Sequence, residues 1–241
     1  MIGASSGIGE ACARRWLAAG ATVMLSARSG DKLQAIASDY PQAHVVPFDA
    51  ADAQAWPGAV SRVMGVGGGL DLVMFCAGRY EEQNGTQIEI EAVQASFDLN
   101  VVLVYRGVNL VLPHLLAQGK GGIAVVGSLS GYTGLPKAMV YGATKAALIN
   151  FAESLYFEVA PRGLSVYLIN PGFVRTPMTA QNDFKMPGLM TPSQAADAII
   201  KGMERGRFEI SFPGKLAFAL RRISRLPYSL RFWLLHRATG L

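Results

Sequence analysis

The chain has 241 residues, 51% of them hydrophobic and 16% charged, with a formal net charge of +5. That composition supports one sizeable core and excludes an intrinsically disordered chain. Two cysteines, Cys12 and Cys76, are too few for a disulfide framework and fit a reducing compartment. In chain order, an apolar-periodic segment predicts a helix over 8–19, closed by Gly20. Further helices are predicted over 31–38, 53–64, 89–117, 138–159 and 192–204. Strands are predicted over 21–26, 44–48, 70–76, 122–128, 164–169 and 207–211. Gly65-Val66-Gly67-Gly68-Gly69 reads as a loop, and Pro113 is expected to end or bend the fourth helix. Alternation of this kind predicts an α/β fold, a Rossmann-like doubly wound parallel sheet covered on both faces.

The first helix is preceded by Gly3-Ala4-Ser5-Ser6-Gly7-Ile8-Gly9, a G-x-x-x-G-x-G turn. Glycines there let the backbone approach a pyrophosphate, which rests on amides at the helix N-terminus. The turn needs a strand before it, central in the sheet, yet only Met1 and Ile2 precede Gly3. The first strand is therefore expected to be missing from this sequence, and the natural protein to start upstream of Met1. Because the chain opens on this turn, no secretory leader is expected. No uninterrupted apolar run reaches the ~18 residues of a spanning helix. His44, His114 and His236 are scattered without metal-ligand spacing, so no metal site is expected.

Tyr141 and Lys145 lie four residues apart in Tyr-Gly-Ala-Thr-Lys, with Ser128 thirteen residues before the tyrosine. A step of four puts two side chains on one helix face. A lysine ammonium there is expected to lower the phenol pKa, so that it exchanges a proton with an alcohol or carbonyl. Ser128, after the apolar run Ile123 to Val126, can hydrogen-bond the same substrate oxygen.

The glycine turn, Asn100, Ser128, Tyr141, Lys145 and Asn170-Pro171-Gly172 occur together in this order. This set resembles the short-chain dehydrogenase/reductase family over roughly residues 1–212, read as an NAD(P)-binding catalytic domain. The resemblance implies an oxidoreductase acting on CH–OH donors, a general acid/base at Tyr141 and an oxygen-positioning donor at Ser128. It implies that Lys145 tunes the tyrosine and binds the nicotinamide ribose. It implies that Asn100 holds a proton-relay water. Gly3, Ser5, Ser6, Gly7, Ile8, Gly9, Ala77, Gly78, Pro171, Gly172 and Thr176 would border the cofactor, with Asp49 near the adenine. The chain departs from the family in carrying Ile2 for Thr, and Cys76-Ala77-Gly78 for Asn-Ala-Gly. NAD-preferring folds usually place an acid after the second strand, whereas here stand Ser26-Ala27-Arg28-Ser29. Arg28 offers a fork suited to a 2′-phosphate, so NADP(H) is expected, with NAD(H) the alternative.

After Gly172 the family covers its substrate. This chain places Phe173, Val174, Met178, Phe184, Met186, Leu189 and Met190 there, interrupted by Pro177, Pro187 and Gly188. The pattern fits a lid over an apolar, acyl-chain or lipid-like carbonyl substrate, or ordinary packing beneath a lid. Residues 213–241 form a separate tail. Its stretch 215–241 holds six basic residues and no acidic one, leaving net −1 for the rest of the chain. Interleaved Phe, Trp and Leu, split by Pro227, suit an interfacial membrane anchor or a subunit arm. Nucleic acid is not expected as a partner. The expectations are a cytoplasmic ketoreductase, a homo-oligomer, held peripherally at the inner face of a membrane if the tail is an anchor. The rival readings are a nucleotide-binding regulatory protein on the same fold and a scaffold led by the tail.

Overall fold

In the computed structural model, which describes residues 1–83 and 85–239, strands and helices alternate as the sequence pattern predicts. Four strands, β3 (Leu72–Phe75), β4 (Gly121–Val126), β5 (Leu164–Pro171) and β6 (Glu209–Phe212), pair in that order, all parallel. β1 (Val23–Leu25) and β2 (Ala43–Val45) form a separate parallel pair. The short apolar runs become strands because both faces are covered. Ile123, Ala124 and Val125 of β4 are fully buried.

Ile2 joins the two sheets. It makes parallel bridges to Ser26 after β1 and to Phe75 of β3. Its N–H donates to the Met74 carbonyl and its own carbonyl accepts from Cys76 N–H, both at 2.9 Å. The Met1 amine donates to the Met24 carbonyl at 2.9 Å. Met1 and Ile2 thus occupy the C-terminal end of the central strand position. Beneath them, between β1 and β3, lies a cavity of about 410 Å³ lined by Trp16, Val23, Met24, Leu72, Met74 and Val111, among others. The expected gap in the sheet is this cavity.

α1 (Gly7–Ala18) and α7 (Pro192–Glu204) cover one face of the sheet. α5 (Leu103–Gln118) and α6 (Met139–Val159) cover the other, with α3 (Ala55–Gly67) packed on α5. α2 (Gly30–Ala37) lies on β2. α7 starts where its sequence dictates: Thr191 caps it, Gln194 completes the capping box and Pro192 opens the first turn.

The helix predicted over 89–117 is three pieces: α4 (Ile90–Phe97), a π-helical turn (Asp98–Val102) and α5. α5 runs on to Gln118 with Pro113 inside it, so the proline does not end it. The stretch Ile90–Gln118 is long and apolar enough to cross a membrane, but Leu103, Val104, Val108, Val111 and Leu115 are buried in the core. The tail folds into α8 (Gly214–Ile223) and α9 (Tyr228–Thr239), separated at Pro227 as expected, with α8 packed on β6. Residues 240 and 241 of that tail lie outside the described residues.

Candidate active site

A cavity of about 320 Å³ opens at the C-terminal ends of the parallel strands, the usual ligand position in an open α/β sheet. Gly3, Ser5, Ser6, Gly7 and Ile8 line one wall, with Arg28 and Asp49 beside them. Ala77 and Gly78 follow β3. Ser128, Tyr141 and Lys145 border the cavity, and Pro171, Gly172 and Thr176 complete it. Residues from across the sequence meet here because every parallel strand delivers its following turn to the same edge.

The glycine turn is shaped by close contacts. Gly7 has φ +58°, and a Cβ there would sit 2.8 Å from Thr176 Cγ2. Gly9 does not line the cavity. A Cβ at Gly9 would lie 2.1 Å from the Gly3 carbonyl oxygen, so this glycine is required by packing. Ser6 precedes the first turn of α1 without a side-chain cap. Gly7 and Ile8 of that turn border the cavity, and amide donors left uncapped at a helix start fit a phosphate group. Arg28 is exposed at the rim beside Ser5 and Ser6. Asp49 accepts from Ala51 N–H at 3.0 Å.

α6 carries Tyr141 and Lys145 on its cavity-facing side. Tyr141 and Ser128 border the same cavity. The Tyr80 ring meets the Tyr141 ring edge-on, with centroids 5.4 Å apart. Burial pushes the phenol up to about 12, opposed by the neighbouring Ser128 side chain and reinforced by Cys76 and Tyr80. The lowered phenol pKa expected from sequence is thus corrected. The Lys145 ammonium lies over the ring, 5.5 Å from its centroid, and desolvation outweighs its attraction for a tyrosinate. Burial also lowers Lys145 itself to about 8.

Asn100 lies within the π-helical turn, fully buried and outside the cavity lining. Its Oδ1 accepts from Arg79 N–H at 2.8 Å. Its Nδ2 donates to the Arg79 carbonyl and to Thr144 Oγ1, each at 3.0 Å. Its side chain braces the turn after β3 against α6.

The family departures are absorbed by the backbone. Ile2 is buried in the core, and the Cys76 amide is satisfied by the Ile2 carbonyl. Burial holds the Cys76 thiol up at about 11, so it stays protonated. In the lid stretch, Met178 and Val174 line the cavity, while Phe173 and Phe184 meet edge to face with centroids 5.8 Å apart.

The short chain dehydrogenase family model matches residues 1–186. The chain belongs to the short-chain dehydrogenase family. It is an oxidoreductase of that family, and its relatives are named accordingly. A Myxococcus xanthus (strain DK1622) protein named an uncharacterized oxidoreductase is 36% identical, covering 94% of this chain and 91% of its own. A Staphylococcus haemolyticus (strain JCSC1435) protein of the same designation is 34% identical, covering 83% of this chain and 87% of its own. A solved short-chain dehydrogenase from Streptomyces avermitilis superposes with a TM-score of 0.86 at 25% identity, covering 100% of this chain and 98% of that one. A short-chain dehydrogenase from Sphingobium yanoikuyae, solved in complex with NADPH, superposes with a TM-score of 0.81 at 24% identity, covering 100% and 92%.

Several residues of this dehydrogenase's site escape a reading of sequence alone. Ser130 donates to Ser128 through both its amide, at 3.2 Å, and its hydroxyl, at 2.9 Å. Tyr80 meets the Tyr141 ring, and Arg79 and Thr144 hold the Asn100 amide. Thr144, inside Tyr-Gly-Ala-Thr-Lys, could have been found, because it lies three residues after Tyr141 and its hydroxyl donates to the Tyr141 carbonyl at 2.7 Å. Ser130, two residues after Ser128 in the same turn, offered a similar local signal, whereas Arg79 and Tyr80 come from the turn after β3.

Proposed function

We propose that this dehydrogenase is NADP(H)-dependent and interconverts a ketone and a secondary alcohol, on hydrophobic carbonyl compounds. One observation carries the reading: a half-buried tyrosine, with Ser128 and Lys145 beside it, faces the same cavity as an uncapped glycine-rich helix start. Such a cavity holds a dinucleotide at one end and a reacting oxygen at the other. The glycine turn and Arg28 would hold the phosphates, Lys145 the nicotinamide ribose, and Pro171, Gly172 and Thr176 the nicotinamide side. When bound, the nicotinamide supplies or accepts the hydride.

The chain's own residues manage the proton and the substrate oxygen. With its pKa near 12, Tyr141 keeps its proton at neutral pH and can donate it from Oη to an oxygen that is gaining negative charge. Ser128 Oγ orients that oxygen. Lys145, still charged below about pH 8, favours the tyrosinate left behind. Arg28, with no carboxylate in Ser26-Ala27-Arg28-Ser29, supports NADP(H) over NAD(H). The fold is shared with the Sphingobium yanoikuyae enzyme that was solved with NADPH. Met178 and Val174 on the cavity wall support an apolar substrate.

Two associations complete the reading. Tyr105, Tyr156 and Phe157 are exposed on α5 and α6, which supports a homo-oligomer through these helices. In the tail, Phe218, Tyr228, Phe232 and Trp233 are exposed. Arg222 lies over Phe218, Arg231 over Tyr228 and Arg237 over Trp233, at 4.9, 4.7 and 5.4 Å. Aromatic side chains, three of the four lying under an arginine, suit the headgroup region of an anionic membrane surface.

The deciding experiment follows NADPH oxidation with a panel of ketones of increasing apolar length. Wild type should turn over the longer ketones. Tyr141→Phe should lose roughly 10²–10⁴-fold in kcat while binding NADPH as before. A variant as fast as wild type would remove Tyr141 from the reaction, and an enzyme idle on every ketone would end the ketoreductase reading.

A further inference from the structure

Beside Ser128, a polar cluster ties together segments distant in sequence. Ser128 caps a single 3-10 turn, Leu129–Gly131, and Tyr132 follows directly. The Tyr132 hydroxyl donates to Glu209 Oε1, and the same oxygen accepts from Asn170 Nδ2 at 2.9 Å. Asn170 is fully buried and adjoins Pro171, whose carbonyl accepts from Ser128 Oγ at 3.4 Å. A closed ring results, running from Ser128 through Pro171, Asn170, Glu209 and Tyr132 back to Ser128. The carboxylate at its centre is matched by Arg221 of α8, which donates to Glu209 Oε2 at 2.6 Å and to the Tyr132 hydroxyl at 3.2 Å. The Arg221 guanidinium also lies 5.5 Å from the Tyr132 ring centre.

We propose that Glu209 and Arg221 are positioning residues for Ser128, and that α8 is therefore part of the catalytic frame. The inference rests on the reading above, in which Ser128 orients the substrate oxygen. The carboxylate staples the two segments that fix the serine, residues 128–132 and 170–172. Charge-assisted bonds to one carboxylate give that staple directional stiffness. The Arg221 and Glu209 side chains keep 40% and 26% of their exposure, and a pair that open to water contributes little to global stability. Catalysis is far more sensitive, since a displacement near 1 Å at a reacting group can cost ~10²-fold in rate. A positioning role therefore predicts a rate defect without a matching stability defect.

The test compares wild type, Tyr132→Phe, Arg221→Ala and Arg221→Lys. Tyr132→Phe removes one oxygen and keeps the ring under Arg221, so it guards against a misfolded Arg221→Ala. Each of Tyr132→Phe and Arg221→Ala should lower kcat by about tenfold or more, with the Kd for NADPH and Tm nearly unchanged. Arg221→Lys should recover part of the rate. The double variant should be little worse than either single one, as expected of residues acting as a unit. Wild-type kcat in a folded Tyr132→Phe would overturn the inference, and so would a rate loss that tracks equal losses in Tm and NADPH affinity. If wild type itself reduces no ketone, the functional reading fails instead. The positioning claim is then decided by the crystal structure of Tyr132→Phe, where Ser128 Oγ should leave its place beside Tyr141; an unmoved serine overturns it.

Discussion

The Lys145 ammonium donates to the main-chain carbonyl of Val126, the last residue of β4, at 2.8 Å. The lysine is buried, and its pKa falls to about 8 from an ordinary 10.5 because the charged form is desolvated. Its charge is thus held in the core at an energetic cost, balanced only in part by one carbonyl.

Lys145→Met should accordingly stabilise the protein free of cofactor at pH 7 while abolishing most activity, a stability–activity trade-off. A shift of this size corresponds to about 3 kcal/mol of disfavoured charge, from which the lost bond to Val126 subtracts about 1 kcal/mol. The sign with pH follows from proton counts. Between about pH 8 and 10.5 the unfolded chain binds the proton and the folded one does not, so raising pH favours folding of wild type. The advantage of Lys145→Met should be full below pH 8 and shrink from there to pH 10.5. Chemical denaturation across that range checks it, and an advantage that grows with pH would refute the account.

Arg28→Ala should weaken NADPH far more than NADH. Losing a charge-assisted contact of about 2 kcal/mol to the 2′-phosphate raises Kd by ~30-fold, while NADH, which lacks that phosphate, should change little. Calorimetric titration of both cofactors measures the difference, and equal losses would remove Arg28 from cofactor choice.

Joining six to eight apolar, β-branched residues ahead of Met1, about one strand's length, should fill the cavity between β1 and β3 and raise Tm. A second signature accompanies it. The Met1 amine, drawn into the sheet beside the Met24 carbonyl, has its pKa lowered to about 6 from 8.0 by burial. Between those values the unfolded chain carries the proton and the folded chain does not, so the 241-residue chain should gain stability as pH rises from about 6 to 8. The extended chain has an amide at that position and should lose this dependence. Equal Tm values for both chains would show that the cavity takes no strand.

The tail prediction is tested with vesicles. Full-length protein should sediment with anionic liposomes at low salt and release at high salt, since each basic residue near such a surface contributes about 1 kcal/mol. A chain ending at Gly214 should not sediment. Full-length protein that ignores anionic vesicles, or a truncated one that loses its oligomer, would make α8 and α9 a packing arm.

What the sequence by itself determined was local. The glycine turn, the helix face carrying Tyr141 and Lys145, and the alternation of apolar runs each follow from spacing and residue type within one element. Tertiary structure decided what depends on distance between elements. Asn100 turned its amide to Arg79 and Thr144 because the turn after β3 and helix α6 both lie beside it. The Tyr141 phenol is raised and not lowered, because desolvation depends on how many neighbours enclose a group, a quantity that no four-residue spacing contains. Glu209 and Arg221, set far apart in sequence from Tyr132, meet it only because β6 pairs beside β5 and brings α8 against the serine loop.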